Sequence, residues 1–132
     1  MTNRKKENAL ILSQEEIASG IFSLWLKTEA AGQARPGQFI SMYTNDGSRL
    51  LPRPISICEI DRGREARVVY RVTGPDTGTE LFSRMKAGDV IPVIGPLGNG
   101  FPMERAEGKR VFLIGGGIGV PPILELAKQL NC

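Results

Sequence analysis

With 132 residues, the chain is long enough for one domain with a substantial core and too short for two full ones. Apolar residues make up 41% and charged residues 23%, the proportions of an ordinary soluble globular protein. The net charge of +3 is scattered through Arg4-Lys5-Lys6, residues 62–67 and Lys109-Arg110; this argues against the concentrated basic face of a nucleic-acid binder and favours small anions at least as much.

Histidine is absent, and the two cysteines, Cys58 and Cys132, lie far apart with no CxxC. A structural zinc site therefore has too few ligands, a disulfide framework is unsupported, and no metal site is expected in this chain. The apolar run at residues 9–12 is too short for a signal-peptide core. Residues 111–124 form a 14-residue uncharged run with four glycines and two prolines, short of a membrane span. These features predict a cytoplasmic protein with neither nucleic-acid nor membrane partners.

In chain order, Ala9-Leu10-Ile11-Leu12 predicts a short first strand. After Gly20, residues 21–28 are rich in β-formers and too unperiodic for a helix. Residues 30–36 read as a loop, and the Pro36-Gly37 turn launches a third strand over residues 38–44. Turn formers at 45–48 lead to Arg53-Pro54-Ile55-Ser56, and residues 55–60 alternate apolar with mostly polar side chains, as a half-buried strand does. A turn at residues 61–64 returns the chain as a hairpin partner over 66–72. Residues 79–85 have helical spacing, with Leu81, Phe82 and Met85 on one face. Residues 89–94 predict a sixth strand, which Pro92 demotes to an edge or a bulge. Residues 95–102 read as a turn-rich loop. Six strands and one short helix predict a mainly β fold, a closed antiparallel barrel over residues 1–105.

The pattern changes after residue 105. Val111-Phe112-Leu113-Ile114 is a continuous apolar run, as expected of a strand buried on both faces of a parallel sheet. A glycine turn, Gly115-Gly116-Gly117-Ile118-Gly119, follows, and Pro121-Pro122 suit a first helical turn. A helix over 123–130 would turn Ile123, Leu126, Ala127 and Leu130 inward. Residues 106–132 thus predict the first β-α unit of a Rossmann-like domain. A lone unit cannot bury its own faces, so C-terminal truncation is expected in preference to folding back on the barrel.

Three groups can carry chemistry. Arg53, extended by the proline after it, presents a planar fork of donors suited to a diphosphate, with the Ser56 hydroxyl nearby; a solvated turn is the plainer reading. Gly78-Thr79 at a helix start offers unpaired amides, close approach and a hydroxyl to an anion, or is simply a capped helix. On the strand Tyr70-Arg71-Val72, Tyr70 suits either a flat heterocycle or the barrel wall, and Arg71 points the opposite way. The turn at 115–119 lacks the Lys-Ser/Thr of a Walker loop and departs from GxGxxG, leaving a dinucleotide pyrophosphate and a tight connection both open. No residue stands out as catalytic.

Taken together these segments resemble the ferredoxin-reductase flavoprotein family, and within it the electron-transfer subunits of NAD-linked (type B) dihydroorotate dehydrogenases. Six motifs in order carry the likeness: Pro-Gly-Gln-Phe at 36–39, Arg-Pro-Ile-Ser at 53–56, Tyr-Arg-Val at 70–72, Gly-Thr at 78–79, Gly-Pro-Leu-Gly-Asn-Gly-Phe at 95–101 and Gly-Gly-Gly-Ile-Gly at 115–119. The resemblance implies a Greek-key FAD-binding barrel followed by a nicotinamide-binding domain. Arg53 and Gly78-Thr79 would hold the FAD diphosphate, while Pro54, Ile55, Ser56 and Tyr70-Arg71-Val72 would line the flavin, and Gly115 to Gly119 would form a nicotinamide-dinucleotide loop. It further implies an oxidoreductase component in pyrimidine biosynthesis, relaying electrons from dihydroorotate to the co-substrate NAD in a heterotetramer with an FMN-containing catalytic subunit. The 2Fe–2S cluster of that relay would belong to a longer subunit, since Cys58 and Cys132 do not match its ligands. Truncated, this chain alone would not be fully active. The flavin subunit of another NAD(P)H–ferredoxin or sulfur-linked reductase is the alternative. An oligonucleotide-binding barrel is remote, because such proteins stack bases on several exposed aromatics and the chain has only eight aromatics in all.

Overall fold

The computed structural model describes residues 6–44, 51–61 and 64–131. The expected turn at 45–48, Arg62 and Gly63 of the second turn, Arg4, Lys5 and Cys132 lie outside the described residues. Six strands close into an antiparallel barrel: β1 (Lys6–Ala18), β2 (Ile21–Lys27), β3 (Phe39–Met42), β4 (Arg53–Asp61), β5 (Glu65–Arg71) and β6 (Val90–Leu97). Around the barrel they run β1-β2-β5-β4-β3-β6, and the step from β2 to β5 is the Greek-key crossover. Successive side chains alternate faces, so Ala9 and Ile11, Leu24 and Leu26, Val68 and Tyr70, and Ile91 and Val93 all meet in one buried core.

Two strands differ from expectation. β1 runs 13 residues rather than four, because its polar second half, Ser13 to Glu16, pairs with Trp25 to Phe22 of β2. A partner strand, not apolar content, sets its length. β6 is no edge: it lies between β1 and β3. The Pro92 carbonyl accepts from Tyr43 N–H at 2.9 Å, one residue past the end of β3. The amide that proline lacks would face the same way, toward the end of a neighbour, where little of the ladder is lost. β6 also continues through Gly95-Pro96-Leu97, which the sequence presents as loop. A Cβ on Gly95 would come within 2.6 Å of Ile40 Cγ2, so glycine is what lets this strand press on the buried Ile40.

Helix α1 (Gly78–Ser83) links β5 to β6, with Thr77 accepting the Glu80 amide as its N-cap. Phe82 is fully buried and meets the Tyr70 ring edge-on at 6.2 Å. Gln14 of β1 donates to the Phe82 and Met85 carbonyls at 2.9 and 2.8 Å and accepts the Tyr70 hydroxyl at 2.6 Å. One side chain thereby closes the helix end and fixes the central aromatic.

Val111 to Ile114 form no strand and stand exposed. A parallel-sheet strand takes its hydrogen bonds from neighbours, and among the described residues none lies alongside. Helix α2 (Pro121–Leu130) does form, with Ile123, Leu126, Ala127 and Leu130 wholly or partly buried as expected. It folds back against β4, the arrangement set aside at the sequence level.

Candidate functional site

The barrel opens where β4 and β5 part. Their ladder begins at Ile57↔Val68, so residues 53–56 pair with β3 alone and residues 69–71 with β2 alone. Ile57 donates its amide to Gln38 on the β3 side. By alternation Pro54 turns its donorless nitrogen toward the parted side, where no ladder bond is forfeited. Proline thus suits the mouth of the gap.

A cleft of about 420 Å3 fills this mouth, within the range of roughly 300–1,000 Å3 usual for small-molecule sites. Arg53, Ile55 and Ser56 line it from β4, and Val69, Tyr70 and Arg71 from β5. Thr73 and Thr79 form one end, and Ile118, Pro121 and Pro122 form the wall opposite the barrel. Two arginines and no carboxylate line the cleft among the described residues, so its electrostatics suit an anion beside a flat apolar body. A larger hollow, about 570 Å3, lies between Lys109, Val111, Leu113 and α2 and contains none of the expected site residues.

The Arg53 side chain lies against Gly78: a Cβ there would be 3.3 Å from Arg53 Nε and 3.4 Å from its Cγ. The guanidinium and the α1 start therefore share one place, and glycine leaves room for the arginine. The hydroxyl of Thr79 has other work. It accepts the Thr73 amide at 3.0 Å and touches the Thr73 and Thr77 hydroxyls, each at 3.1 Å, and Thr79 is 4% exposed. These contacts shape the turn at the end of the cleft that Thr79 lines.

Tyr70 is 1% exposed, with its ring stacked on Phe22 at 5.8 Å. The ring is committed to the barrel interior, and Tyr70 also borders the cleft. Burial pushes its phenol far above the ordinary value, so it stays protonated. Arg71 is exposed at the cleft, whereas Val72 packs toward the core and Pro54 flanks the lining without joining it. Of the glycine turn only Ile118 reaches the cleft. Gly115 packs closely on the start of α2: a Cβ would stand 2.8 Å from Ile123 Cδ1 and 3.2 Å from the Val120 Cα.

The far wall hangs on a polar junction that the sequence did not reveal. Glu125 of α2, 5% exposed, accepts the Ile60 amide at 2.8 Å, and Lys128 pairs with Glu59 at 3.0 Å. Arg67 bonds Glu59 at 3.1 Å and the Ser23 hydroxyl at 2.9 Å. Burial opposes the Glu59 charge, but hydrogen bonds from Lys128 and Arg67 prevail and hold its pKa below the ordinary carboxylate range. Cys58 lies beside this junction, 3% exposed, and burial raises its thiol pKa. It is inert by environment.

No family model matches the chain. It is 48% identical over 127 residues to the dihydroorotate dehydrogenase B (NAD(+)) electron transfer subunit of Streptococcus mutans, covering 95% of this chain and 48% of that protein. The corresponding subunit of Enterococcus faecalis is 47% identical over 131 residues, 97% of this chain and 49% of the relative. The chain is a relative of the dihydroorotate dehydrogenase B electron transfer subunits. It spans about half the length of these curated relatives.

Among solved structures, an NADH-dependent reduced ferredoxin–NADP oxidoreductase is 28% identical with a TM-score of 0.76, over 93% of this chain and 44% of its own. The ferredoxin reductase of carbazole 1,9a-dioxygenase, 21% identical, reaches a TM-score of 0.78 over 96% of this chain and 38% of that one. A Neisseria gonorrhoeae ferredoxin NADP+ reductase with bound FAD and NADP is 17% identical, with a TM-score of 0.73 over 96% and 52%. The barrel is the ferredoxin-reductase fold shared with these reductases. Among the described residues no helix is long and apolar enough to cross a membrane.

Proposed function

We propose that the cleft binds FAD and that the chain is the flavin-holding part of an electron-transfer subunit. That subunit relays electrons from dihydroorotate oxidation to NAD in pyrimidine biosynthesis. One observation carries the reading: the Arg53 side chain packed on Gly78 at the start of α1, in a cleft lined, among the described residues, by a second arginine and no carboxylate. The residues fit the group. A guanidinium fork and helix-start amides answer a diphosphate, while Ile55, Val69, Ile118 and the two prolines offer apolar walls to a ring.

FAD, when bound, accepts two electrons together and releases them singly. The protein's part is placement. Arg53 grips the linked phosphates and Arg71 adds a second positive charge, while Ser56 offers a hydroxyl to the ring or its chain. The buried Tyr70, held by Gln14 and Phe22, stiffens the strand behind them. Residues 1–105 form the flavin domain in this reading. Residues 106–132 open a second, nicotinamide-binding unit, to which the exposed run at 111–114 and the turn at 115–119 belong. An FMN-bearing catalytic subunit is the partner, the 2Fe–2S cluster lies outside this chain, and the complex is cytoplasmic.

FAD titration of the purified chain, followed by flavin fluorescence, tests the reading. Arg53→Ala is expected to weaken binding by roughly 1.5–3 kcal/mol, about ten- to a hundredfold, the scale of a lost charge-assisted contact. An unchanged affinity overturns the role given to Arg53.

A further inference from the structure

We infer that Glu125 is a positioning residue: its carboxylate latches α2 to an open amide of β4 and thereby sets where the far wall of the cleft stands. The inference rests on the flavin reading for its consequence, although the latch itself does not.

β3 pairs with β4 only as far as Phe39↔Ser56. One further bond, from the Ile57 amide to the Gln38 carbonyl at 3.0 Å, ends the contact on that side, and a bulge falls between Ile57 and Glu59 in the β4 ladder with β5. The Ile60 N–H is left for another acceptor, and Glu125 Oε1 supplies one at 2.8 Å. The carboxylate's second oxygen is held by Gln129 Nε2 at 2.8 Å, and the Lys128 ammonium stands 3.7 Å from the first.

Burying a carboxylate is costly, and an apolar side chain of similar size commonly packs as well or better in such a place. Helix docking alone therefore does not call for a glutamate. What an apolar side chain cannot provide is an acceptor, and an orphaned strand amide would disfavour this one seating of the helix. The carboxylate selects a position rather than adding cohesion.

That position matters because of where it is passed on. Pro121 and Pro122 stand four and three residues before Glu125, one helical turn away on the same face, and both line the cleft. Neither proline has an N–H with which to tie itself to the barrel. Ile118, the remaining residue of that wall, belongs to the glycine turn leading into α2. The wall stands where the helix is pinned.

The test compares the wild-type chain with Glu125→Met, which removes the acceptor, Glu125→Gln, which keeps one, and Glu125→Asp, which is too short to reach. Two quantities are read: hydrogen exchange of the Ile60 amide without ligand, and the dissociation constant for FAD. In Glu125→Met and Glu125→Asp, Ile60 protection is expected to fall about tenfold or more and FAD to bind several-fold more weakly, with both restored in Glu125→Gln. Unchanged Ile60 protection in Glu125→Asp overturns the latch, even if Glu125→Met does not fold. Lost protection with unchanged FAD affinity overturns the link to the cleft. If the wild-type chain itself takes up no FAD, the flavin reading falls, and the exchange data still decide the latch.

Discussion

Tyr70 and Phe112 are large aromatic residues of the same chain with opposite fates. Tyr70 lies in β5, flanked by β2, and is 1% exposed; Phe112 lies in an apolar run of four and is 81% exposed. The barrel closes on itself, so each of its strands has backbone partners on both sides and a common interior to fill. The stretch at 111–114 has β-forming composition, but no strand lies beside it among the described residues. Apolar character proposes burial; hydrogen-bonding neighbours decide it.

The sharpest way to break this comparison is to remove each ring in turn. Tyr70→Ala should cost about 3–5 kcal/mol, since it empties a site packed by Phe22 and Phe82 and leaves Gln14 without the phenol. Denaturant unfolding measures it, and a loss under 1 kcal/mol would mean the barrel core is not organised around this ring. A smaller effect separates the docked helix from the barrel. The Glu59 pKa is depressed, so its contribution is full above the ordinary carboxylate pKa of about 4.3 and is lost as pH falls through the folded value. Thermal melts from pH 6 down to about 3 should show an acid loss of stability that Glu59→Gln makes shallower. Identical acid profiles would remove Glu59 from the junction. Phe112→Ala should change stability least, by within about 0.5 kcal/mol, as for other exposed positions. A clear destabilisation there would show that the run packs on something in solution.

The chain's local chemistry made the six strands, the inward Phe82 of α1 with Met85 just past its end, and the inward face of α2 legible, because alternation and helical spacing are written in consecutive residues. It also marked Arg53 and Gly78 as anion chemistry, with the Ser56 hydroxyl nearby, through residue types whose donors and conformational freedom are intrinsic. What it left undecided were matters of partnership. The length of β1, the interior place of β6 and the continuation through Gly95 depend on strands distant in sequence. The side of the barrel Tyr70 faces depends on the β2–β5 register, and the commitment of the Thr79 hydroxyl depends on the turn holding Thr73 and Thr77. Glu125 is the clearest instance. On a helical wheel it is an ordinary charged residue beside an apolar stripe, and nothing nearby signals burial. The reason it goes inside is an amide 65 positions away, left open where β3 stops short of β4.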